Sequence, residues 1–163
     1  NRYIYIDTND IFEREPYIAQ FRAKNFDFVI INNHIKPDDA YKEINYLNQV
    51  YNDAQLRFPG EFDYILLGDM NADCTYLNEG EWSEILEASD FISVIPSNAD
   101  TTVKSTDCAY DRFLISPGIQ EDYAGNWNVF RYDIAYNLNQ EFSEEISDHF
   151  PVWVEFYTSR DTD

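Results

Sequence analysis

A mostly apolar run at residues 26–33, directly followed by His34, constrains the fold more than any other segment. Its β-branched and aromatic residues predict a strand, and the lack of alternation predicts burial on both faces. Pro37 and the acids after it are typical of a first helical turn, and apolar residues at helical spacing continue until Pro59. Residues 64–67 form the next predicted strand. A strand, a helix and a second strand in this order indicate an α/β or α+β fold.

The rest of the chain is predicted from shorter signals. Further strands are expected at residues 1–7, 17–21, 91–95, 112–115 and 150–156, a short helix around Trp82, Ile85 and Leu86, and another helix over residues 138–146. A chain of 163 residues with 44% hydrophobic content predicts one globular domain. No run approaches the roughly 18 apolar residues of a membrane span, and no signal peptide is recognised at Asn1.

Acidic residues dominate the charge, with 31 Asp and Glu against 11 Lys and Arg and a net charge of −20. This balance argues against a broad basic surface for nucleic acid, because phosphates are normally neutralised by Lys and Arg. Two interpretations remain. The acidity provides solubility, including in salty surroundings, or divalent cations occupy part of the acidic surface.

Chemically useful side chains cluster at predicted strand ends. Asp69 and Asn71 are two residues apart, so in extended chain they share a face and can hold a hard cation or position a phosphate. The alternative is an Asx-type turn after the strand. His149 follows Asp148 at the start of the last strand, where a carboxylate such as that of Asp111 could fix its tautomer.

Both histidines, His34 and His149, lie at strand ends, which permits a general acid and general base pair or two solvated edge histidines. No Gly-x-Ser-x-Gly elbow or phosphate-binding glycine loop is present, and two Cys and two His scattered in this way argue against zinc. Cys74 and Cys108 allow one disulfide, although free buried cysteines are common. A disulfide would indicate an oxidising compartment.

Taken together, the ordered motifs resemble the deoxyribonuclease I family within the endonuclease/exonuclease/phosphatase superfamily. Gly-Asp-x-Asn at residues 68–71 and Ser-Asp-His at residues 147–149 recur across the superfamily. Asp-Thr-Thr at residues 100–102 and Cys-Ala-Tyr-Asp at residues 108–111 are more specific to the family. The resemblance implies an α+β fold, as the C-terminal part of a four-layer α/β/β/α sandwich with mostly antiparallel mixed sheets. Residues 1–163 would then be one domain that lacks the N-terminal part of that fold.

The resemblance also implies a metal-dependent endonuclease that hydrolyses DNA phosphodiester bonds to 5′-phosphate and 3′-hydroxyl ends. It assigns Mg²⁺ or Mn²⁺ to Asp69, Asn71 and Asp148, one acid/base unit to Asp111 and His149, and the second acid/base histidine to His34. Arg14 would contact phosphate with Tyr110 nearby, and Cys74–Cys108 would be a structural disulfide.

Two structural calcium sites are implied as well. The first would use Asp100, Thr102 and Thr106, and the second Asp10, the carbonyl of Phe12, Glu15 and Asp7. Lys104, in the first loop, replaces a small polar residue of the family.

The implied partners are double-stranded DNA and a missing N-terminal half, which in the family carries an asparagine, a metal-binding glutamate and an acid paired with the histidine that corresponds to His34. The implied location is secreted or extracellular, or periplasmic in a bacterium. The alternatives are an inactive calcium-stabilised binding module and another phosphoesterase of the superfamily. Since half a sandwich exposes apolar sheet surface, we expect the isolated 163 residues to dimerise, aggregate or need the other half.

Overall fold

The computed structural model describes residues 1–78, 81 and 90–161, and the strands among them form two sheets. The larger sheet has the order β1-β2-β3-β4-β6-β5 and the smaller pairs β7 with β8. The strands are β1 Arg2–Ile4, β2 Tyr17–Ala23, β3 Phe26–His34, β4 Tyr64–Asp69, β5 Ile92–Ser93, β6 Asp111–Ile115, β7 Tyr123–Val129 and β8 Val152–Phe156. Only β3 and β4 pair in parallel within these two sheets, so they are mixed and mostly antiparallel.

The main helix, α1, runs from Ala40 to Arg57 after a 3₁₀ turn at Pro37–Asp39, as the proline and the helical spacing predict. Two shorter helices, α2 at Tyr132–Ala135 and α3 at Gln140–Ile146, lie between β7 and β8. The helix predicted around Trp82, Ile85 and Leu86 lies outside the described residues. In the described part of the chain, no helix combines the length and the apolar character needed to cross a membrane.

Strand β3 is buried on both faces, as its apolar run predicts. Val29 and Ile31 belong to the core between the large sheet and α1. Phe28 and Ile30 pack into a second core with residues of β7 and β8, where the rings of Phe26 and Phe156 stack 5.7 Å apart. Helix, large sheet and small sheet are therefore stacked as layers of an α+β sandwich, which confirms the predicted fold class.

The register of the three central strands determines which side chains meet at one edge of the large sheet. The parallel pairing of β3 and β4 aligns His34 with Asp69. The antiparallel pairing of β4 and β6 aligns Asp69 with Asp111. Because β3 and β4 end where β6 begins, all three side chains belong to one edge of the sheet.

Strand β7 was not recognised in the sequence because a bulge interrupts its alternation. Tyr123 and Trp127 both pack into the second core, but the register with β8 shifts between them. Gly125 lies in this shift at a φ of 80°, which glycine adopts readily. The strand predicted at residues 91–95 is reduced to Ile92–Ser93.

Candidate active site

The sheet edge that carries His34, Asp69 and Asp111 opens into a cleft of about 390 Å³. Six predicted catalytic or substrate-binding residues line it: His34, Asp69, Asn71, Tyr110, Asp148 and His149. Two predicted calcium ligands, Thr102 and Thr106, also line it, so the first calcium loop borders the cleft. Pro37, Tyr76 and Lys104 complete the lining without having been predicted as site residues. No sequence motif indicates Tyr76. Its signal is the contact with the ring of Tyr110, with the two ring centroids 5.6 Å apart, and this contact is visible only in the fold.

The turn after β4 holds Asp69 and Asn71 in place. The Asn71 N–H donates to Asp69 Oδ1 at 3.0 Å, so the Asx-type turn is present. The buried Asn71 amide donates through Nδ2 to the carbonyl of Ile35 at 2.8 Å, which ties the turn to the end of β3. Its backbone has a φ of 48°, a conformation that asparagine tolerates better than most residues. Since Nδ2 is engaged, the amide oxygen is the atom of Asn71 left for a ligand, and the turn and the cation site are compatible.

His149 and Asp111 form a hydrogen-bonded pair. His149 Nδ1 lies 2.7 Å from Asp111 Oδ2, and this hydrogen bond is the main cause that raises the pKa of His149, against the lowering effect of burial. A carboxylate at Nδ1 favours the tautomer with its proton on that nitrogen. The other nitrogen, Nε2, is therefore the atom of His149 that can accept a proton.

Asp69 Oδ2 lies between the two imidazoles. It is 3.6 Å from His34 Nε2 and 3.9 Å from His149 Nε2. Burial raises the pKa of the Asp69 carboxyl, and the hydrogen bond from Asn71 lowers it in part. The His34 side chain is 53% exposed, whereas that of His149 is 23% exposed, so His34 is the more accessible to solvent.

The loop at residues 100–108 is hydrogen-bonded to the backbone on both sides of His149. The Val103 N–H donates to the carbonyl of Asp148 at 2.9 Å, and the Phe150 N–H donates to the carbonyl of Thr101 at 2.8 Å. The hydroxyl oxygen of Thr101, a fully buried residue, accepts from the N–H groups of Tyr110 and Asp111 at 3.1 and 3.2 Å. Thr101 thus positions the partner of His149, a role that its place in the Asp-Thr-Thr motif did not reveal.

The disulfide between Cys74 and Cys108 is present, with the two Cα atoms 5.9 Å apart and a sequence separation of 34 residues. It joins the segment after β4 to the segment before β6. Asp73 Oδ2 accepts from the Ala109 N–H at 2.7 Å beside it. In the chain-entropy model a loop of this size contributes roughly 3–4 kcal/mol to the free energy of unfolding.

The residues predicted for the first calcium site come together. Asp100 Oδ1 accepts from both the N–H and the hydroxyl of Thr102, each at 3.0 Å, and that hydroxyl also contacts the carbonyl oxygen of Thr106. A carboxylate, a hydroxyl and a carbonyl oxygen in mutual contact are donors that suit calcium. The donor set fits the ion.

The second predicted calcium site, at Asp7, Asp10, Phe12 and Glu15, stays a prediction. The Asp7 carboxylate already accepts from the N–H groups of Asn9, Ile11 and Phe12. Asp10 and Phe12 do border a cavity of about 220 Å³, but Lys36 and Lys42 line the same cavity. Glu13, Asp39 and Glu43 line it too, so carboxylates outnumber ammonium groups there, and Lys36 already pairs with Asp39 at 2.9 Å.

Arg14 and a group of three aspartates lie apart from the residues that line the cleft. Arg14 is exposed on the segment before β2 and is not among the residues that line the cleft. The carboxylate oxygens of Asp63, Asp122 and Asp161 lie within 4.8 Å of one another, and none of these residues was predicted as a ligand. Asp63 precedes β4, so this group lies at the opposite end of that strand from Asp69.

Known proteins resemble the chain in sequence and in fold, although no protein-family model matches it. Deoxyribonuclease-1 of Bos taurus is 40% identical over 153 residues, which cover 90% of this chain and 54% of the relative. Deoxyribonuclease gamma of Homo sapiens is 38% identical over 159 residues, which cover 93% of this chain and 52% of the relative.

Two solved structures share the fold. An endonuclease/exonuclease/phosphatase family protein from Bacteroides thetaiotaomicron aligns with a TM-score of 0.52 and 17% identity, over 86% of this chain and 54% of its own. A conserved protein of unknown function from Enterococcus faecalis aligns with a TM-score of 0.54 and 17% identity, over 88% of this chain and 56% of its own. The chain spans about half the length of the curated relatives it matches. In motifs and in sequence, the chain is similar to members of the deoxyribonuclease I family over about half of their length.

Proposed function

We propose that this chain contributes to a metal-dependent endonuclease that hydrolyses DNA phosphodiester bonds, leaving 5′-phosphate and 3′-hydroxyl ends. The observation that carries the proposal is the arrangement of Asp69 Oδ2 between His34 and His149, with His149 held by Asp111 at 2.7 Å. Two imidazoles beside an acidic cleft can move the two protons that a phosphodiester hydrolysis requires. The similarity to named deoxyribonucleases supports DNA as the substrate.

Asp69, Asn71 and Asp148 would hold the catalytic Mg²⁺ or Mn²⁺. Carboxylate and amide oxygens are ligands that these hard cations prefer, and all three residues line the same cleft. The bound ion would act as a Lewis acid that offsets the negative charge developing on the phosphate. The first calcium loop, at Asp100, Thr102 and Thr106, would order the border of the cleft.

The protein side chains would carry out the proton transfers. His149 accepts a proton at Nε2 from the attacking water, and the hydrogen bond to Asp111 stabilises the imidazolium that results. His34, on the other side of Asp69, donates a proton to the departing 3′-oxygen. Tyr110, whose ring centroid is 6.0 Å from that of His149, is placed to contact the substrate backbone.

The complete site would be composite. The chain spans about half of the deoxyribonucleases it resembles, so the remaining metal-binding and histidine-orienting groups would come from the part of the family fold outside these residues. Arg14 would contact phosphate in that complete assembly. The disulfide supports a secreted or extracellular location, because such bonds persist in oxidising compartments.

A substrate panel tests the proposal. The protein expressed from its complete coding sequence is incubated with Mg²⁺ and Ca²⁺ and with supercoiled plasmid, a phosphoinositide or sphingomyelin. We expect nicked plasmid and no lipid hydrolysis, and we expect DNA ligase to reseal the nicks because it requires a 5′-phosphate beside a 3′-hydroxyl.

The other outcomes are equally informative. Hydrolysis of a lipid without nicking would favour another phosphoesterase of the superfamily. Nicks that ligase does not seal would contradict the proposed bond cleavage. Calcium binding with no hydrolysis of any substrate would favour a binding module.

A further inference from the structure

Lys104 is the one lysine or arginine among the described residues that line the cleft. Asp69 and Asp148 line the same cleft, and the chain as a whole carries a net charge of −20. A polyanionic substrate that enters this cleft meets carboxylates on several sides. A fixed positive charge at the border is therefore the feature of this site that most directly opposes the repulsion.

The backbone on which Lys104 is carried is anchored rather than free. Val103, directly before it, donates its N–H to the carbonyl of Asp148, and Thr102 forms a β-bridge with His149. Downstream, Cys108 is crosslinked to Cys74. These contacts fix the backbone around Lys104 at the border of the cleft.

The ammonium of Lys104 is also available. Lys104 is exposed and belongs to none of the ion pairs found within residues 1–78, 81 and 90–161. By contrast, Lys36, Arg57 and Arg131 each pair with a nearby aspartate. Arg112 is buried and donates to the carbonyls of Ile95 and Ala72. A substrate phosphate therefore does not have to displace an ion-pair partner to reach Lys104.

We infer that Lys104 binds a backbone phosphate of DNA beside the scissile one and is a substrate-positioning residue of this chain. The inference rests on the proposed function, since it takes DNA as the substrate. A lysine ammonium contacts phosphate as a point charge and without base selectivity, so it adds affinity uniformly across sequences. It supplies charge at the site while the rest of the surface stays acidic.

Binding of a fluorescein-labelled DNA duplex tests this role separately from catalysis. Affinity is measured by fluorescence anisotropy in Ca²⁺ without Mg²⁺, over a range of NaCl concentrations, for the protein expressed from its complete coding sequence. We expect Lys104→Gln to weaken binding several-fold at low salt and to reduce the slope of log affinity against log salt by about 1. The ratio of the two affinities should fall about threefold between 50 and 200 mM salt, as loss of one phosphate contact predicts.

Two matched variants separate charge from structure. Lys104→Arg should retain wild-type affinity and slope, because the charge remains. Lys24→Gln should change neither, since Lys24 is in the turn before β3, whose nine residues separate it from His34 by about 30 Å.

Equal affinity and slope for wild type and Lys104→Gln, including binding by neither, would overturn the inference. Plasmid nicking measured on the same preparations reports on the proposed function independently. If the wild type nicks plasmid but binds DNA no more tightly than Lys104→Gln, the proposed function is supported and the role of Lys104 is excluded. If binding depends on the charge at residue 104 but the wild type does not nick plasmid, Lys104 binds DNA and the proposed hydrolysis is contradicted.

Discussion

Replacing His149 by alanine is expected to slow plasmid nicking by about 10²–10⁴-fold, the usual contribution of a positioned general base. Asp111 is hydrogen-bonded to His149 Nδ1 at 2.7 Å, so Nε2 of the same ring is left to accept a proton from the attacking water. The measurement is the initial rate of nicking at saturating Mg²⁺, with the melting temperature recorded for each variant. A His149→Ala protein that melts normally and nicks at the wild-type rate would remove His149 from the mechanism.

The Asp111→Asn variant tests the role of Asp111 as the hydrogen-bond partner of His149. Its hydrogen bond is the main cause of the raised pKa of His149, so the variant should lower that pKa and move the acid limb of the pH–rate profile to lower pH while reducing the plateau rate. In EDTA the pair of His149 and Asp111 should also contribute to the free energy of unfolding. That contribution should be fully present below the pKa of about 6.5 that His149 has in the unfolded chain, and lost as the pH rises through its higher pKa in the folded protein. The exposed Asp38→Asn is the matched control and should shift neither curve.

The second large effect is expected at Gly68, whose φ is 135°. A Cβ there would lie 1.9 Å from the carbonyl oxygen of Asn33, and that oxygen belongs to the backbone of a neighbouring strand in the centre of the sheet. We expect Gly68→Ala to lower the free energy of unfolding by on the order of 4 kcal/mol, from backbone strain and overpacking together. Denaturant unfolding of the purified variant measures the loss.

Gly60 and Gly125 supply matched controls for that experiment. Both have positive φ, at 93° and 80°, but a Cβ built at either position meets no atom within 4 Å other than those of the glycine and its two chain neighbours. Their alanine variants should therefore lose only the strain contribution, about 1 kcal/mol. A Gly68→Ala protein no less stable than these two would contradict the close approach of β4 to β3.

The centre of the fold was predictable because local and long-range preferences agree there. The apolar run of β3 predicts burial on both faces, and the two cores on either side of it confirm that. Strand β7 was missed since its pattern is correct only after the bulge at Gly125 is taken into account, and bulges depend on the partner strand. The same limit applied to the strand at residues 91–95, which has only two residues paired with β6.

Residue types predicted the candidate site better than they predicted its geometry. The alignment of His34, Asp69 and Asp111 follows from strand register, which no local motif specifies. Thr101 was missed because its role depends on hydrogen bonds to Tyr110 and Asp111, nine and ten residues away.

The proposed calcium ligand Asp7 shows that residue type does not determine which oxygens are available. Asp7 has the right chemistry, but its carboxylate is occupied by three backbone N–H groups. A motif names possible donors, whereas the fold decides which donors remain available.

The most direct test of the central claim is the metal dependence of nicking by wild-type protein and by Asp148→Asn, each expressed from its complete coding sequence. We expect no nicking in EDTA, recovery in the wild type when Mg²⁺ is restored, and little recovery in Asp148→Asn, because one of its three proposed ligands has lost its charge. Nicking that persists in EDTA, or an Asp148→Asn protein as active as wild type, would contradict a catalytic metal at Asp69, Asn71 and Asp148.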